Sequence, residues 1–497
     1  MKKLYFILVL LVMGHYGSAQ SFSIDPSFQV PFNFKKTWGA RGTIGHILES
    51  QNNGKLFLTG DFNIHINGKS YTSFIRCLRN GAYDPSFVLN PFTFLNSVGE
   101  VIPKNNSTFA LVVSSGAYTS LDSSGLINNT NWINNYRKTV SCSQSARPYF
   151  YSDGSSLMGN SRGQQQNSCR IINPPDTFPH RYIIKVDPNG WWDSSFVPDA
   201  NDDPTGFMPY DSTRILVWGL VRSFTQYDGR SISGLCRIFL DGTLDTTFHS
   251  PLKDTLTQGL FWPIVIPSRN EVFLIGNMYL KGGSPKYRYI VRLKENGDID
   301  SSFAFSNASH AASWWNGMSS VAPTPDGGYI VAGAFDTYQG VAKNSIVKLD
   351  SNGILEPQYF TSPGPDSSAL LGAGFPIISV EASKFGGYYV FGDFTRWDGQ
   401  PTQPILRLKD LVTGIENENI EFSQIEVFPN PSNGIINISN SENIESIRIY
   451  NLQGQLIKKL KPRQKQFELP AQTGMYIIQV EDEKGNVFTK KIVKNNY

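Results

Sequence analysis

Up to about Leu411, apolar residues come in short bursts that close on glycine, usually with an aromatic residue two positions on. Lys55-Leu-Phe-Leu-Thr-Gly60 with Phe62, Val272-Phe-Leu-Ile-Gly276, Tyr329-Ile-Val-Ala-Gly333 with Phe335 and Tyr388-Tyr-Val-Phe-Gly392 with Phe394 have this form. Bursts this short, rich in β-branched and aromatic residues, predict strands. A second set carries a basic residue near its end: Phe74-Ile-Arg-Cys-Leu78, Tyr182-Ile-Ile-Lys-Val186, Tyr289-Ile-Val-Arg-Leu293 and Ser345-Ile-Val-Lys-Leu349. These strands run into glycine turns at Asn80-Gly81, Asn189-Gly190, Asn296-Gly297 and Asn352-Gly353, and Asp241-Gly242 is a fifth such turn. Asn-Gly and Asp-Gly favour tight hairpins, whose two central residues both need positive φ. A further strand precedes the glycine-closed one, as in Pro263-Ile-Val-Ile266, Ser319-Ser-Val-Ala322 and Ile377-Ile-Ser-Val380.

The turn is followed by Asp-x-Ser/Thr-Phe, at Asp84-Pro-Ser-Phe87, Asp193-Ser-Ser-Phe196, Asp245-Thr-Thr-Phe248 and Asp300-Ser-Ser-Phe303, with a looser copy from Glu356 to Phe360. From Asp193 onward the copies recur about every 55 residues, a spacing that marks a repeated supersecondary unit. Four antiparallel strands per unit predict a β-propeller blade, with Asp-x-x-Phe as the outer strand. Seven glycine-closed strands, near Gly60, Val113, Gly159, Gly219, Gly276, Gly333 and Gly392, predict seven blades, or six if one unit is divided wrongly. The second and third units are degenerate: Gly125 to Trp132 replaces Asp-x-x-Phe in one, and the other has an insertion around Ser161 to Pro179. A lone Asp25-Pro-Ser-Phe28 stands before the first unit, and the last ends at Ile405-Leu-Arg-Leu408 without a copy of its own. The early residues are therefore expected to supply the missing outer strand, closing the ring and removing its exposed edges.

The succession Gly-x-Phe, Ile-x-Arg-Leu, Asn/Asp-Gly and Asp-x-Ser/Thr-Phe resembles the delta-60 repeat, a bacterial β-propeller family, over about residues 21–412. The resemblance implies the fold and supplies no catalytic residues.

Beyond Leu411 the period stops. Residues 413–423 read as a polar linker, and residues 424–497 as short alternating strands that predict a small C-terminal β-sandwich. Val427-Phe-Pro-Asn-Pro-Ser-Asn-Gly434, Ile449-Tyr-Asn-Leu-Gln-Gly454, Thr473-Gly-Met-Tyr476 and Lys490-Lys-Ile-Val-Lys494 resemble the type A sorting domain of the type IX secretion system. The motif positions are Pro429, Asn430, Pro431, Gly434, Gly454, Gly474, Tyr476, Lys490 and Lys491. The resemblance implies export through the periplasm, passage across the outer membrane by the type IX machinery, and release or surface attachment. The start of the chain fits that route. Lys2 and Lys3, the apolar run Leu4 to Met13 and the small residues Gly17-Ser-Ala19 read as a signal peptide over residues 1–19. No stretch reaches the roughly 18–20 apolar residues of a transmembrane segment.

Composition removes several function classes. The formal net charge is +3, falling to +1 without Lys2 and Lys3, and the basic residues are scattered. Nothing marks a nucleic-acid or lipid surface. Of the six histidines, His15 belongs to the leader, and His46, His65, His180, His249 and His310 show no zinc spacing. The reading therefore includes no metal and no cofactor. Neither a nucleophile elbow nor a phosphate-cradling glycine loop occurs. The repeated aspartates could be read as paired glycosidase carboxylates, but one per unit beside a turn reads as backbone capping. Cys142 and Cys169 flank a loop-rich stretch and are a disulfide candidate for an oxidising compartment, whereas Cys77 and Cys236 read as buried thiols.

Aromatic residues give the candidate binding face. Trp38, Trp262, Trp314 and Trp315 fall in the links between units, and Tyr227-Asp-Gly229, Tyr338-Gln-Gly340 and Trp397-Asp-Gly399 in loops predicted on the same face. Such a ring could stack on sugars or anchor a protein. In the other reading, these tripeptides are hairpin turns whose ring packs on its own blade. The expected function is a secreted or cell-surface, non-catalytic binding module for a glycan or a surface protein. The alternatives are a propeller-type glycoside hydrolase or polysaccharide lyase, and a structural component of a surface assembly.

Overall fold

The computed structural model describes residues 22–35, 42–50, 54–87, 98–104, 108–113, 118–122, 140–141, 147–159, 169–171, 180–253, 260–278, 280, 288–304, 308–309, 317–366, 378–409, 427–428, 430, 432–438, 444–451, 455–460, 466–482 and 487–494. The chain divides into two compact units, Met1–Thr413 and Gly414–Tyr497. Among the described residues the regular structure is strand, apart from one 3-10 turn at Pro267–Arg269, and no helix is long and apolar enough to cross a membrane.

In the first unit, each of the seven predicted bursts is the middle strand of a three-stranded antiparallel sheet. In chain order, sheet one is Thr43–Glu49, Leu56–Ile66 and Lys69–Cys77, and sheet two is Val98–Pro103, Thr108–Val113 and Tyr118–Asp122. Sheet three is Tyr149–Phe150, Ser156–Gly159 and Ile183–Val186, and sheet four is Pro204–Pro209, Arg214–Gly219 and Leu235–Phe239. Sheet five is Leu260–Ile266, Glu271–Met278 and Arg288–Leu293. Sheet six is Gly317–Pro323, Tyr329–Ala334 and Ile346–Leu349, and sheet seven is Ile378–Ala382, Tyr388–Gly392 and Ile405–Leu408.

The middle strands are apolar on both faces because the sheets pack face to face. One core joins sheets one and two, and further cores join three to four, four to five, five to six and six to seven. Another joins sheet seven back to sheet one through Tyr389, Phe391 and Ile405. Such face-to-face succession of sheets is propeller packing. The closing glycines reflect close approach. A Cβ on Gly60 would lie 2.1 Å from the Thr43 carbonyl oxygen of the adjacent inner strand.

The Asp-x-Ser/Thr-Phe segment is not the full outer strand expected. It is reduced to one bridge just before the aspartate, as in Cys77 with Tyr83, Ile238 with Leu244 and Leu293 with Ile299. The chain then turns, because the aspartate captures the residue two positions on. Asp84 Oδ1 accepts from the Ser86 N–H at 3.0 Å and the Ser86 hydroxyl at 2.7 Å, and Asp245 does the same with Thr247. The other carboxylate oxygen takes the basic residue of the third strand: Arg76 to Asp84 at 2.7 Å, Arg237 to Asp245 at 2.6 Å, Arg292 to Asp300 at 2.8 Å and Lys348 to Glu356 at 2.7 Å. The motif phenylalanine lies against the same cation, with the Arg237 guanidinium 4.9 Å from the Phe248 ring. The residue after it donates to the next unit's turn, His249 N–H to Asn296 O at 2.8 Å and Ala304 N–H to Asn352 O. The carboxylate thus fixes the segment on its own hairpin, and the residue after it staples one unit to the next.

The ring closes by the same device. Ile24 bridges Leu408, the Asp25 N–H donates to Arg407 O at 2.7 Å, and the Lys409 N–H donates to Ser23 O at 2.8 Å. Asp25 Oδ2 lies 3.6 Å from Arg407, and the Gln29 N–H reaches Asn80 O at 2.8 Å. Phe22 stacks on Phe360 at 4.9 Å, and Phe28 meets Tyr389 edge-on at 5.5 Å. Residues 22–35 therefore stand to sheet seven as Asp84 to Phe87 stand to sheet one.

In the second unit, Val427–Phe428, Ile435–Ile438 and Gln466–Glu468 form one sheet. Leu456–Leu460, Ile444–Tyr450, Gly474–Asp482 and Val487–Lys494 form another, in that order. The inner faces share one core, in which Val427, Ile436, Ile438 and Phe467 meet Ile447, Ile449, Ile478 and Ile492.

Candidate functional site

Register identifies the positions that stand level around the inner strands of the first unit. His46 pairs with Thr59, Glu100 with Val112, Gly206 with Trp218, Trp262 with Ile275, Ser320 with Ala332 and Ser379 with Phe391. Each partner directly precedes the closing glycine of its middle strand, or Val113 in sheet two. These residues therefore form a ring of equivalent positions on the innermost strands. Unlike the repeated aspartates, they are not one residue type: sheets six and seven carry serine, the others His46, Glu100, Gly206 and Trp262.

Arg147 draws one arc of the ring together. Its backbone pairs with Gly206 of sheet four, and Nη1 donates to Phe207 O at 3.0 Å. Nε reaches back to Glu100 of sheet two, at 2.8 and 3.1 Å from the two oxygens. Glycine at 206 leaves the room, since a Cβ there would lie 3.0 Å from Arg147 Cβ and closer still to the Trp218 ring. His46 Nε2 of sheet one lies 3.5 Å from the same carboxylate, and Nδ1 is buried with no hydrogen-bond partner among the described residues. Burial lowers the His46 pKa, with Arg147 adding to the effect against the pull of Glu100, so the imidazole is neutral near pH 7. All three side chains remain partly exposed. Trp262 is 46% exposed.

Two more carboxylates lie further along the inner strands. Glu49 is buried and takes three donors from sheet seven: Ser383 Oγ at 2.9 Å, the Lys384 N–H at 2.6 Å and the Tyr389 hydroxyl at 2.9 Å. It is a second clasp of the closed ring. Glu381 is half-buried, and its pKa is pushed up to about 8, first by burial and then by the charge of Glu49.

The residues singled out in the sequence divide sharply. Trp262 lies within the inner strand, not in a link, and is exposed there. Tyr227, Tyr338 and Trp397 correct the expectation of an aromatic face, because all three are buried, Tyr227 and Tyr338 completely. Each flanks a tight hairpin whose two central residues have positive φ: Asp228 and Gly229, Gln339 and Gly340, Asp398 and Gly399. The incoming link crosses that hairpin, bridging Ala200 to Tyr227, Ala308 to Tyr338 and Pro365 to Trp397, and so covers the ring. The Tyr227 hydroxyl is spent on Gly242 O at 2.7 Å. Trp38, Trp314, Trp315 and Cys142 lie outside the described residues, as does the side chain of Cys169. Cys77 and Cys236 are free, buried thiols whose pKa burial raises.

Sequence reasoning missed His46, Glu100 and Arg147 as a group. The signal was available as a charged or bulky residue where equivalent inner strands carry glycine or serine. Among the described residues, no group of three or more His, Cys, Asp or Glu side chains could hold a metal ion. An open groove of about 520 Å³ between 336–344 and 357–363 is built around Lys343, whose ammonium is saturated by the carbonyls of Pro357, Tyr359 and Phe360.

In the second unit, Asn430 binds the last strand as a backbone would, donating to Lys491 O at 2.9 Å and accepting from the Val493 N–H at 2.9 Å. Gly434 has φ +120° and would crowd Lys494, whose ammonium caps Pro470 O at 2.7 Å. Tyr476 is buried with its hydroxyl on Gln472 O at 2.8 Å, Gly474 has φ +147°, Lys491 is exposed and Lys490 half-exposed. Pro429, Pro431 and Gly454 lie outside the described residues.

Comparison with known proteins gives two family matches. Residues 426–495 match a family model described as a secretion system C-terminal sorting domain. Residues 51–87, 220–248 and 324–358 match one described as a β-propeller domain of unknown function. The chain thus carries a propeller repeat and a type IX sorting domain, which indicates export and secretion or display on the outer surface, and interaction with the secretion machinery. No curated protein matches it in sequence. Among solved structures, it is similar to PorZ of Porphyromonas gingivalis, described as a bacterial surface component of the type-IX secretion system. The identity is 11% and the TM-score 0.34, over 91% of this chain and 59% of that one. It is similar to the extracellular domain of the hybrid two component system BT4673 from B. thetaiotaomicron, with 10% identity and a TM-score of 0.41, over 93% and 58% of the two chains. The WD40 β-propeller domain of Doa1 is 10% identical with a TM-score of 0.36, over 77% and 98%. The chain spans about three-fifths of the length of the first two.

Proposed function

We propose that this exported protein is a non-catalytic binding module. In this reading residues 21–412 are a seven-bladed propeller that receives its ligand at the ring of inner-strand positions, and residues 424–497 are a sorting sandwich. The observation that carries the proposal is the exposed indole of Trp262, level with the partly exposed Glu100–Arg147–His46 group. Repeats that are structurally equivalent need not differ there, and an exposed aromatic on the same ring of positions as convergent polar groups is the usual make-up of a ligand site. Binding is favoured over hydrolysis by how the carboxylates are occupied: Glu100 is held through both oxygens, and Glu49 takes three donors.

The test is thermal stabilisation of the full chain by polysaccharide and protein fractions of the extracellular medium. A fraction that raises the melting temperature should lose its effect on a Trp262→Ala, Glu100→Gln variant whose own melting temperature is near wild type. Equal stabilisation of the variant, or none by any fraction, refutes the proposal.

A further inference from the structure

We infer that the ring takes a neutral oligosaccharide, bound by stacking on Trp262 and by hydroxyl contacts to the Glu100–Arg147 pair; this rests on the proposed binding reading. The argument is one of charge and shape. Arg147 and Glu100 cancel, and both side chains remain partly exposed. Burial keeps His46, 3.5 Å from Glu100, neutral. The level positions in sheets four, six and seven are Gly206, Ser320 and Ser379, none of them charged.

A ligand carboxylate or phosphate would have to displace Glu100, whose two oxygens share the Arg147 Nε–H. A cationic ligand would meet Arg147. A protein side chain anchor wants a pocket that excludes water around it, whereas Trp262 projects from an inner strand with nearly half its surface open. A flat indole with nearly half its surface open suits the C–H face of a pyranose. A charge-balanced pair suits vicinal hydroxyls, which donate to a carboxylate and accept from a guanidinium at once.

The experiment is an array of immobilised neutral tetrasaccharides (gluco, xylo and manno series) and of uronate tetrasaccharides, probed with the full chain. It is followed by titration calorimetry of any hit. At least one neutral series should bind, and Trp262→Ala and Glu100→Gln should each weaken it by about tenfold or more. Trp262→Phe should recover part of the loss, and Trp191→Ala, which removes a comparably exposed ring at a turn outside the inner strands, should change nothing. Binding confined to uronates overturns the neutral class and leaves the binding reading standing. So does capture of a protein that is lost in Trp262→Ala without any saccharide bound. Neutral saccharide binding that survives both substitutions overturns the inference, and no ligand of any class overturns both readings.

Discussion

Removing the Asp25 carboxylate tests how the ring is shut. Asp25 Oδ1 holds the Ser27 N–H at 3.0 Å and the Ser27 hydroxyl at 2.7 Å, and Oδ2 lies 3.6 Å from Arg407, the two side chains being 13% and 11% exposed. Loss of the turn bonds costs about 1 kcal/mol, and loss of a partly screened ion pair about 1 kcal/mol more. The internal equivalent is more deeply set. Asp245 and Arg237 are 3% and 1% exposed and 2.6 Å apart, so Asp245→Ala strands a buried guanidinium at a cost of about 3–5 kcal/mol. The larger loss should nevertheless be the less local one. Asp245 sits on the same hairpin as its arginine, whereas Asp25 and Arg407 come from opposite ends of the array and meet only where residues 23–25 pair with residues 407–409.

Hydrogen exchange on the full chain separates the two. In Asp25→Ala, the Lys409 N–H, which donates to Ser23 O, and the Gln29 N–H, which donates to Asn80 O, should exchange about 30-fold faster while sheets four and five keep their protection. Asp245→Ala should instead lower protection and denaturant midpoint together. A cycle with Arg407→Ala should show coupling of at least about 0.5 kcal/mol. Unchanged exchange at Lys409 in Asp25→Ala, or strictly additive effects with Arg407→Ala, would refute closure by this pair.

Three further outcomes follow from the packing and the titrating groups. Lys348 is wholly buried between Glu356 at 2.7 Å and Asp326 at 2.9 Å, so Lys348→Ala should cost about 3–5 kcal/mol in urea unfolding, with part recovered by adding Glu356→Gln. Burial pushes the Asp84, Asp245 and Asp300 carboxyls up, but serine or threonine donors and the paired cations outweigh it; likewise Arg214 and Thr213 hold Asp211 down at about 2. Their folded pKa values lie below the unfolded ones, so this stability is complete above about pH 4 and lost as pH falls towards 2. Melting curves across that range should show it, and a flat profile would contradict it. Glu381 has the opposite sign. Its pKa is raised to about 8, so its contribution is complete below the unfolded value and is lost as pH climbs to 8. Glu381→Gln should therefore be more stable than wild type at pH 8 and similar at pH 5.

What could be read from the sequence was whatever a single hairpin decides. The glycine-closed strands, the Asn-Gly turns and the spacing from Arg76 to Asp84 are local, so their placement follows from turn chemistry and period two. The spacing of the segment after each turn allows a full strand. What limits it to a bridge is the aspartate capturing its own neighbours. Tyr227 and Trp397 were ambiguous for a different reason: a ring beside a hairpin turn is buried or exposed according to what crosses it. The crossing strand, at Ala200 or Pro365, lies about 30 residues upstream.

The ring was the hardest part to see. Between Ile44 and His46, Val98 and Glu100, Pro204 and Gly206, and Met318 and Ser320, the inner strand slips by one residue against its partner, while sheets five and seven do not slip there. Counting alternate residues back from the glycine therefore puts Trp262 and His46 out of phase, although the structure sets them level. A device that shifts inner-strand side chains without disturbing the stapled outer segments lets the inner positions change while the ring stays closed. On the proposed binding reading, ligand choice and stability are thereby carried by different residues: Trp262, Glu100 and Arg147 for the one, and Asp25, Asp84, Asp245 and their cations for the other.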